Sequence, residues 1–392
     1  MALLNFTIVL DLMVMMPLGN LLMPKWHLST SEFAIIVSSY SLSAFVSSFI
    51  AIFFADNLDR KKLLLFAYLL FLIGTFACCF AIDKYTMIVA RSITGIFGGL
   101  IGAQVLSIVS EVIPYERRGR ALGFLFSGFA FASIIGVPLG LYLANNYYWY
   151  FPFLIVAVFG TLLFPFLIKF VPNLTSHLEN RTYLKQRIDN FVNIFKSAHQ
   201  ITALLFSFLL IMGHFIIIPL INPYLVFNVG FPQKYTPLIY LVGGIGALIT
   251  GQIVGRVADK YGKRQVFVIA ALVSLIFIVL ITNMPAIHLS FVLIIFCLWF
   301  SSSTGRAVPG QAMITQTVSN TTRGSFLSLN SCFQSLATGS ASLLSGSITY
   351  CDASFAIHNY NLLGYISVCL IIICVLLSFR LDKQLVNAKM SE

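Results

Sequence analysis

The chain has 392 residues, of which 59% are hydrophobic and only 9% charged, with a mean hydropathy of +0.93. That composition excludes an ordinary soluble protein and points to a multi-spanning membrane protein. The net charge of +11 does not mark a nucleic-acid-binding domain, because the basic residues sit in short stretches between apolar runs.

Crossing ~30 Å of hydrocarbon takes about 20 apolar residues per helix. Twelve runs meet that need: 3–23, 32–54, 63–82, 85–110, 120–144, 149–171, 200–222, 235–254, 265–283, 287–315, 325–349 and 361–379. The first lacks the basic start of a signal peptide and carries Asp11 within its apolar stretch, so it reads as a span. The only long polar segment, 172–199, carries Leu184, Ile188, Phe191, Val192 and Phe195 at helical spacing and reads as an amphipathic linker. Tyr147, Tyr148, Trp149 and Tyr150 open the sixth span as an interfacial aromatic belt.

With both termini cytoplasmic, the inner loops and tail hold nineteen Lys and Arg, and the outer loops only Lys25, Lys84 and Lys234. This asymmetry sets the expected orientation. Cys78, Cys79, Cys297, Cys332, Cys369 and Cys374 fall inside apolar segments without metal-ligand or redox spacing, so they read as small core residues.

Internal repetition organises the chain. The basic loop Gly255-Arg256-Val257-Ala258-Asp259-Lys260-Tyr261-Gly262-Lys263-Arg264 echoes Asp56-Asn57-Leu58-Asp59-Arg60-Lys61-Lys62, with Asp56 and Asp259 separated by 203 residues. Arg118-Gly119-Arg120-Ala121-Leu122 is answered by Arg323-Gly324-Ser325-Phe326-Leu327 at an offset of 205. Half-chain repeats in an apolar sequence indicate a transporter built from two related halves.

At these residues the sequence resembles the major facilitator superfamily, whose signature Gly-x-x-x-Asp-x-x-Gly-Arg-Lys/Arg lies between helices 2 and 3. The C-terminal copy fits, with Lys263 in the Arg place, whereas the N-terminal copy has Ile52 and Asp59 where the family has Gly. The resemblance implies an all-α membrane protein: twelve transmembrane helices as two pseudo-symmetric six-helix halves, 1–171 and 200–392, around a central cavity. It also implies that helices 3, 6, 9 and 12 lie outside while 1, 4, 7 and 10 line the path. Polarity agrees, since spans 3, 6, 9 and 12 read as almost featureless.

Asp11 is the one acidic residue deep in a span, ~12 Å from the helix start at 1.5 Å per residue. A carboxylate in hydrocarbon needs a partner or a cavity and often relays protons; a structural ion pair is the alternative. Arg91, in Arg91-Ser92-Ile93-Thr94-Gly95, resembles the Arg-x-x-x-Gly motif that the family associates with proton coupling, and is the expected partner. Gly136-Val137-Pro138-Leu139-Gly140 looks like a variant of the Gly-Pro-rich motif of the antiporter branch, with one residue between Gly and Pro.

Gln104, His214, Asn222, Arg306, Gln311, Asn330 and Gln334 are the substrate-cavity candidates. Arg306 lacks a nearby acid, so a substrate anion, water or carbonyls freed beside Pro309 are its candidate partners. Asp56, Arg60, Lys61, Gly255, Asp259, Gly262, Lys263 and Arg264 are expected to form a conformational latch, with Asp259 near a helix N-terminus.

No nucleophile triad, metal cluster or nucleotide-binding loop is evident, so an enzyme is not expected. The expectation is an inner-membrane secondary transporter, resembling the efflux-permease and drug–proton antiporter branch, that exports a small organic solute by proton coupling. It would act as a monomer, with no cofactor beyond the proton gradient and no nucleic-acid partner. Proton-coupled uptake of a sugar or organic acid, or a non-transporting sensor or assembly factor, are the alternatives.

Overall fold

The computed structural model describes residues 1–54, 58–113, 124–125, 128–172, 192–318 and 323–390. All twelve expected spans are helices: α1 (Ala2–Trp26), α2 (Thr30–Phe54), α3 (Arg60–Cys79), α4 (Lys84–Val112), α5 (Gly128–Asn146), α6 (Phe151–Phe170), α7 (Ala198–Phe227), α8 (Thr236–Tyr261), α9 (Lys263–Thr282), α10 (Leu289–Gln316), α11 (Arg323–Ile348) and α12 (Tyr360–Met390). Among the described residues eleven helices are long and apolar enough to cross a membrane. The twelfth is α11, which has the length, 26 residues, but is rich in serine. A short antiparallel hairpin, β1 (Tyr350–Cys351) with β2 (Ile357–His358), joins α11 to α12.

Local chemistry sets the helix ends. Asp59 accepts from the Lys61 N–H at 2.9 Å and the Lys62 N–H at 3.2 Å, so an N-cap for α3 stands where the family signature has glycine. Asp83 and Thr86 form a reciprocal capping box at the start of α4. Gly262 takes φ +95°, a conformation costly for other residues, and its N–H closes α8 on the Ala258 carbonyl at 3.1 Å. Both α1 and α7 are interrupted: Pro17 sits in a 3₁₀ turn at Met16–Leu18, and Pro219 opens a second helical piece at Ile218–Phe227.

The helices α1–α6 pack as one group and α7–α12 as another, meeting along α2–α11, α5–α8 and α1–α7. An even number of spans puts both termini at one end, called here the terminal end. Hydrogen bonds between side chains of one half and groups of the other cluster at the opposite end. There Thr30 Oγ1 donates to the Thr349 carbonyl at 2.6 Å, Ser31 Oγ to the Gly346 carbonyl at 2.7 Å, and Asn145 Nδ2 to the Gln233 carbonyl at 3.0 Å. That end of the bundle is sealed. Midway along the α5–α8 seam a π-helical turn, Ala132–Gly136, brings Ile134 against the bare Cα of Gly244.

Candidate substrate cavity and coupling pair

Asp11 on α1 and Arg91 on α4 are both fully buried and meet as the sequence suggests. Arg91 Nη1 lies 2.5 Å from Asp11 Oδ2 and 3.2 Å from the Asp11 carbonyl. The other carboxylate oxygen accepts from Thr75 Oγ1 at 3.2 Å. Thr75 lies on α3, so the span read as featureless supplies one of the two donors that hold the acid. A buried pair is stable only when attraction and hydrogen bonds offset desolvation of both ions, and here both carboxylate oxygens are engaged.

The guanidinium is held from its faces as well. Its carbon lies 4.6 Å from the Tyr40 ring centroid and 5.7 Å from that of Phe153. Tyr40 stands on α2, which α4 approaches so closely that a Cβ on Gly95 would collide with the Tyr40 backbone. Small residues are what permit this approach. The Arg91-x-x-x-Gly95 spacing therefore carries the charge and the contact that places an aromatic ring beneath it.

Tyr40 also forms part of the wall of a cavity of about 140 Å³ between α1, α2, α4 and α11. The remaining wall is Ile8 and Leu12 on α1, Ala44 and Ser48 on α2, Gly98, Gly99, Gly102 and Ala103 on α4, and Ser328, Ser331 and Ser335 on α11. It lies on the terminal side of the sealed end. A larger groove of about 850 Å³ on the flank of α1, α4, α5 and α6 is lined by apolar side chains such as Phe6, Phe131, Phe159 and Phe166. It offers no polar side chain to orient a solute, so the smaller cavity is the candidate site.

A pairing that hydropathy does not reveal closes the far end. Pro17-Leu18-Gly19-Asn20 on α1 recurs as Pro219-Leu220-Ile221-Asn222 on α7, 202 residues later. The two asparagines meet: Asn222 Nδ2 donates to Asn20 Oδ1 at 2.9 Å and to the Pro17 carbonyl at 2.6 Å. Asn222, expected to line a cavity, is instead 1% exposed and ties the broken turns of α1 and α7 together. The signal available was the shared Pro-Leu-x-Asn at the half-chain offset.

The sequence profile described as "Major Facilitator Superfamily" matches residues 1–309 and again 203–389. The chain belongs to the Major Facilitator Superfamily. It is 24% identical over 280 residues to the MFS-type transporter YwfA of Bacillus subtilis (strain 168), covering 70% of this chain and 66% of that protein. It is 22% identical over 252 residues to a probable sugar efflux transporter of Helicobacter pylori (strain P12), covering 64% and 62%. The aligned stretch thus spans about two thirds of these relatives or slightly less. Among solved structures, a D-xylose–proton symporter matches with a TM-score of 0.75 at 18% identity, covering 95% of each chain, and so shares the fold.

Within this superfamily member the other sequence candidates are placed away from the cavity wall. Arg306 is 2% exposed and donates from Nη1 to Ser274 Oγ at 3.1 Å, so a hydroxyl on α9, another span read as featureless, meets it. Gln334 Nε2 reaches Ser207 Oγ at 3.1 Å and Gln311 Oε1 at 3.4 Å, linking α11 to α7 and α10 inside the C-terminal half. His214 sits against the Trp299 ring, centroids 5.3 Å apart, and Gln104 and Asn330 are each 2% exposed.

The superfamily's basic loop differs from expectation in one respect. Asp259 is exposed in the last turn of α8, at a helix C-terminus rather than an N-terminus, because Gly262 alone makes the turn into α9. Space around Gly255 is open. Arg264 is the anchored residue, 2.7 Å from Asp382 on α12 and stacked over Phe379 at 5.0 Å. In the N-terminal copy Arg60 and Lys61 begin α3, while Asp56 lies outside the described residues. Most of the segment assigned as linker, 173–191, also lies outside them.

Proposed function

We propose that this chain is a proton-coupled secondary transporter that exports a small organic solute by alternating access across a bacterial-type inner membrane. The observation that supports it most is the shared wall. Tyr40 faces the cavity and also lies under the Arg91 guanidinium, whose partner is Asp11. Protonating Asp11 removes the charge that holds Arg91 Nη1, and the released guanidinium changes the support of a cavity residue. Proton and solute occupancy are then linked through one side chain.

The halves 1–171 and 200–392, with 172–199 between them, are the rocking bodies in this reading, and the basic loop around Asp259 and Arg264 is a latch at the terminal end. The far-end bonds at Asn222, Thr30 and Asn145 hold one extreme of the motion. Export as the direction is supported by the name of the Helicobacter relative. The deciding experiment is solute flux in proteoliposomes of the purified chain under an imposed pH gradient, across a metabolite and drug panel. Gradient-dependent movement of at least one solute is expected; rates equal to those of empty liposomes for all of them reject the proposal.

A further inference from the structure

We infer that the cavity between α1, α2, α4 and α11 takes a small, uncharged, hydroxyl-rich solute of the short-polyol or monosaccharide class, with Tyr40 Oη as the group that orients it. The inference rests on the transport reading above and narrows it to a substrate class.

Five hydroxyl-bearing residues line the cavity: Tyr40, Ser48, Ser328, Ser331 and Ser335. None of the five makes a hydrogen bond among the described residues, and Tyr40 Oη is buried without any partner. Buried phenol groups normally find one. Several serines elsewhere on the same helices are satisfied locally: on α2, Ser38, Ser39 and Ser47 each donate to the carbonyl three residues back, and on α11 Ser342 donates to the Thr338 carbonyl, although Ser345 on α11 is buried without a partner away from this wall. What distinguishes the cavity is that five unpaired hydroxyls gather around one space. Ser328, Ser331 and Ser335 fall on one helical face by their spacing, and they help to keep α11 less apolar than the other spans.

Two glycines on α4 keep room for these groups. A Cβ on Gly98 would strike Tyr40 Oη first, and one on Gly99 would crowd Ser48 Oγ. Ile8, Leu12, Ala44 and Ala103 supply apolar surface for the C–H faces of a ring or carbon chain. No charged side chain lines the wall; Asp11 and Arg91 are fully buried and paired with each other. Hydroxyl groups both donate and accept, so a ligand that does the same can satisfy every one of them, whereas a permanent ion would be left without a counter-charge. Size points the same way, since about 140 Å³ is well below the ~300–1,000 Å³ of sites for drug-sized molecules.

The test uses the full chain in lipid nanodiscs with four probes: xylitol, D-ribose, lactate and tetraphenylphosphonium. Xylitol or D-ribose is expected to give saturable binding by calorimetry, and lactate and tetraphenylphosphonium none. Tyr40→Phe keeps the ring beneath Arg91 and should weaken polyol binding about tenfold, with Ser331→Ala costing about threefold. Unchanged binding in Tyr40→Phe, at unchanged thermal stability, overturns the role of the hydroxyl. Absence of binding by both neutral probes overturns the substrate class. If proteoliposomes then carry lactate or tetraphenylphosphonium under a pH gradient, the class is wrong and the transport reading stands. If the neutral probes bind but no solute moves, the class holds and the transport reading fails.

Discussion

If solute movement is coupled to protons as proposed, protonation of Asp11 is the residue-scale event on which coupling turns. Asp11→Asn keeps the side chain's shape and its contact with Thr75 while removing the charge opposite Arg91. Loss of pH-driven accumulation with substrate exchange intact is the expected result. An Asp11→Asn transporter that still concentrates solute with the wild-type response to pH would reduce the pair to a structural one. Arg91→Lys should not restore wild-type behaviour, because an ammonium lacks the planar face that stacks on Tyr40 and Phe153. Arg91→Ala leaves a buried carboxylate without its cation, at a cost of about 3–5 kcal/mol, and a thermal melt should show that loss. The pair was legible in the sequence because one acid and one basic motif stood alone in hydrocarbon. Tyr40, Thr75 and Ser274 were not, because tyrosine and single hydroxyls are ordinary in membrane helices and only packing shows what they face.

Helix breaks in α1 and α7 give the element scale its clearest test. Asn222→Ala removes the donor to Asn20 Oδ1 and to the Pro17 carbonyl and leaves both acceptors buried, a loss of about 1–3 kcal/mol. Faster thiol labelling of a Thr349→Cys reporter at the far end is the expected sign, and an unchanged labelling rate would show that these bonds do not hold the gate. The β1–β2 hairpin behaves differently with pH. Asp352 accepts from the Ser354 hydroxyl at 2.6 Å and N–H at 2.8 Å and pairs with His358 at 3.1 Å, which holds its pKa down to about 2. A depressed carboxyl contributes above its unfolded value of 3.8 and is lost only as pH falls through about 2. Protection of the Ala356 amide, which donates to Asp352 Oδ1 at 3.1 Å, should, after correction for intrinsic exchange, therefore be the same at about pH 5 and about pH 8, and should fall in Asp352→Ala; a drop at the lower pH in the wild type would show that the Asp352 carboxyl is not held down. Twelve spans could be read from apolar runs in the sequence, α11 among them despite its serines, but the π turn in α5 and the serine face of α11 could not be read that way. The π turn needs a backbone register that composition does not encode. The serine face merely lowers the hydropathy of α11, and its role follows only from the helices packed against it.

At the scale of the whole molecule, two halves in contact at one end, with a cavity on the other side of that contact, are what the proposed rocking cycle requires of one of its extremes. The half-chain repeat was readable, because two echoes stood at offsets of 203 and 205 residues. The seal was not, since it depends on which helix ends of different halves touch. Orientation is tested by reporters: fusions after Lys62, Arg264 and Arg380 should read cytoplasm and those near Asn146 and Gln233 periplasm, as the nineteen-to-three Lys/Arg split requires. A periplasmic reading after Arg264 would invert the assignment. The motion itself is tested by locking the seal. Thr30 Oγ1 lies 2.6 Å from the Thr349 carbonyl, so the start of α2 and the end of α11 are in direct contact. In a Cys351→Ser background, which removes the thiol nearest this contact, Thr30→Cys with Thr349→Cys should crosslink under a mild oxidant with little change in fold. If solute passes only when this end opens, the oxidised double variant should bind substrate from the terminal side yet carry none, and reduction should restore flux. Each single variant should remain active under the same oxidant. Full flux through the crosslinked protein would mean that α2 and α11 stay together throughout the cycle, and that access at this end is gained elsewhere, at the α1–α7 or α5–α8 seam.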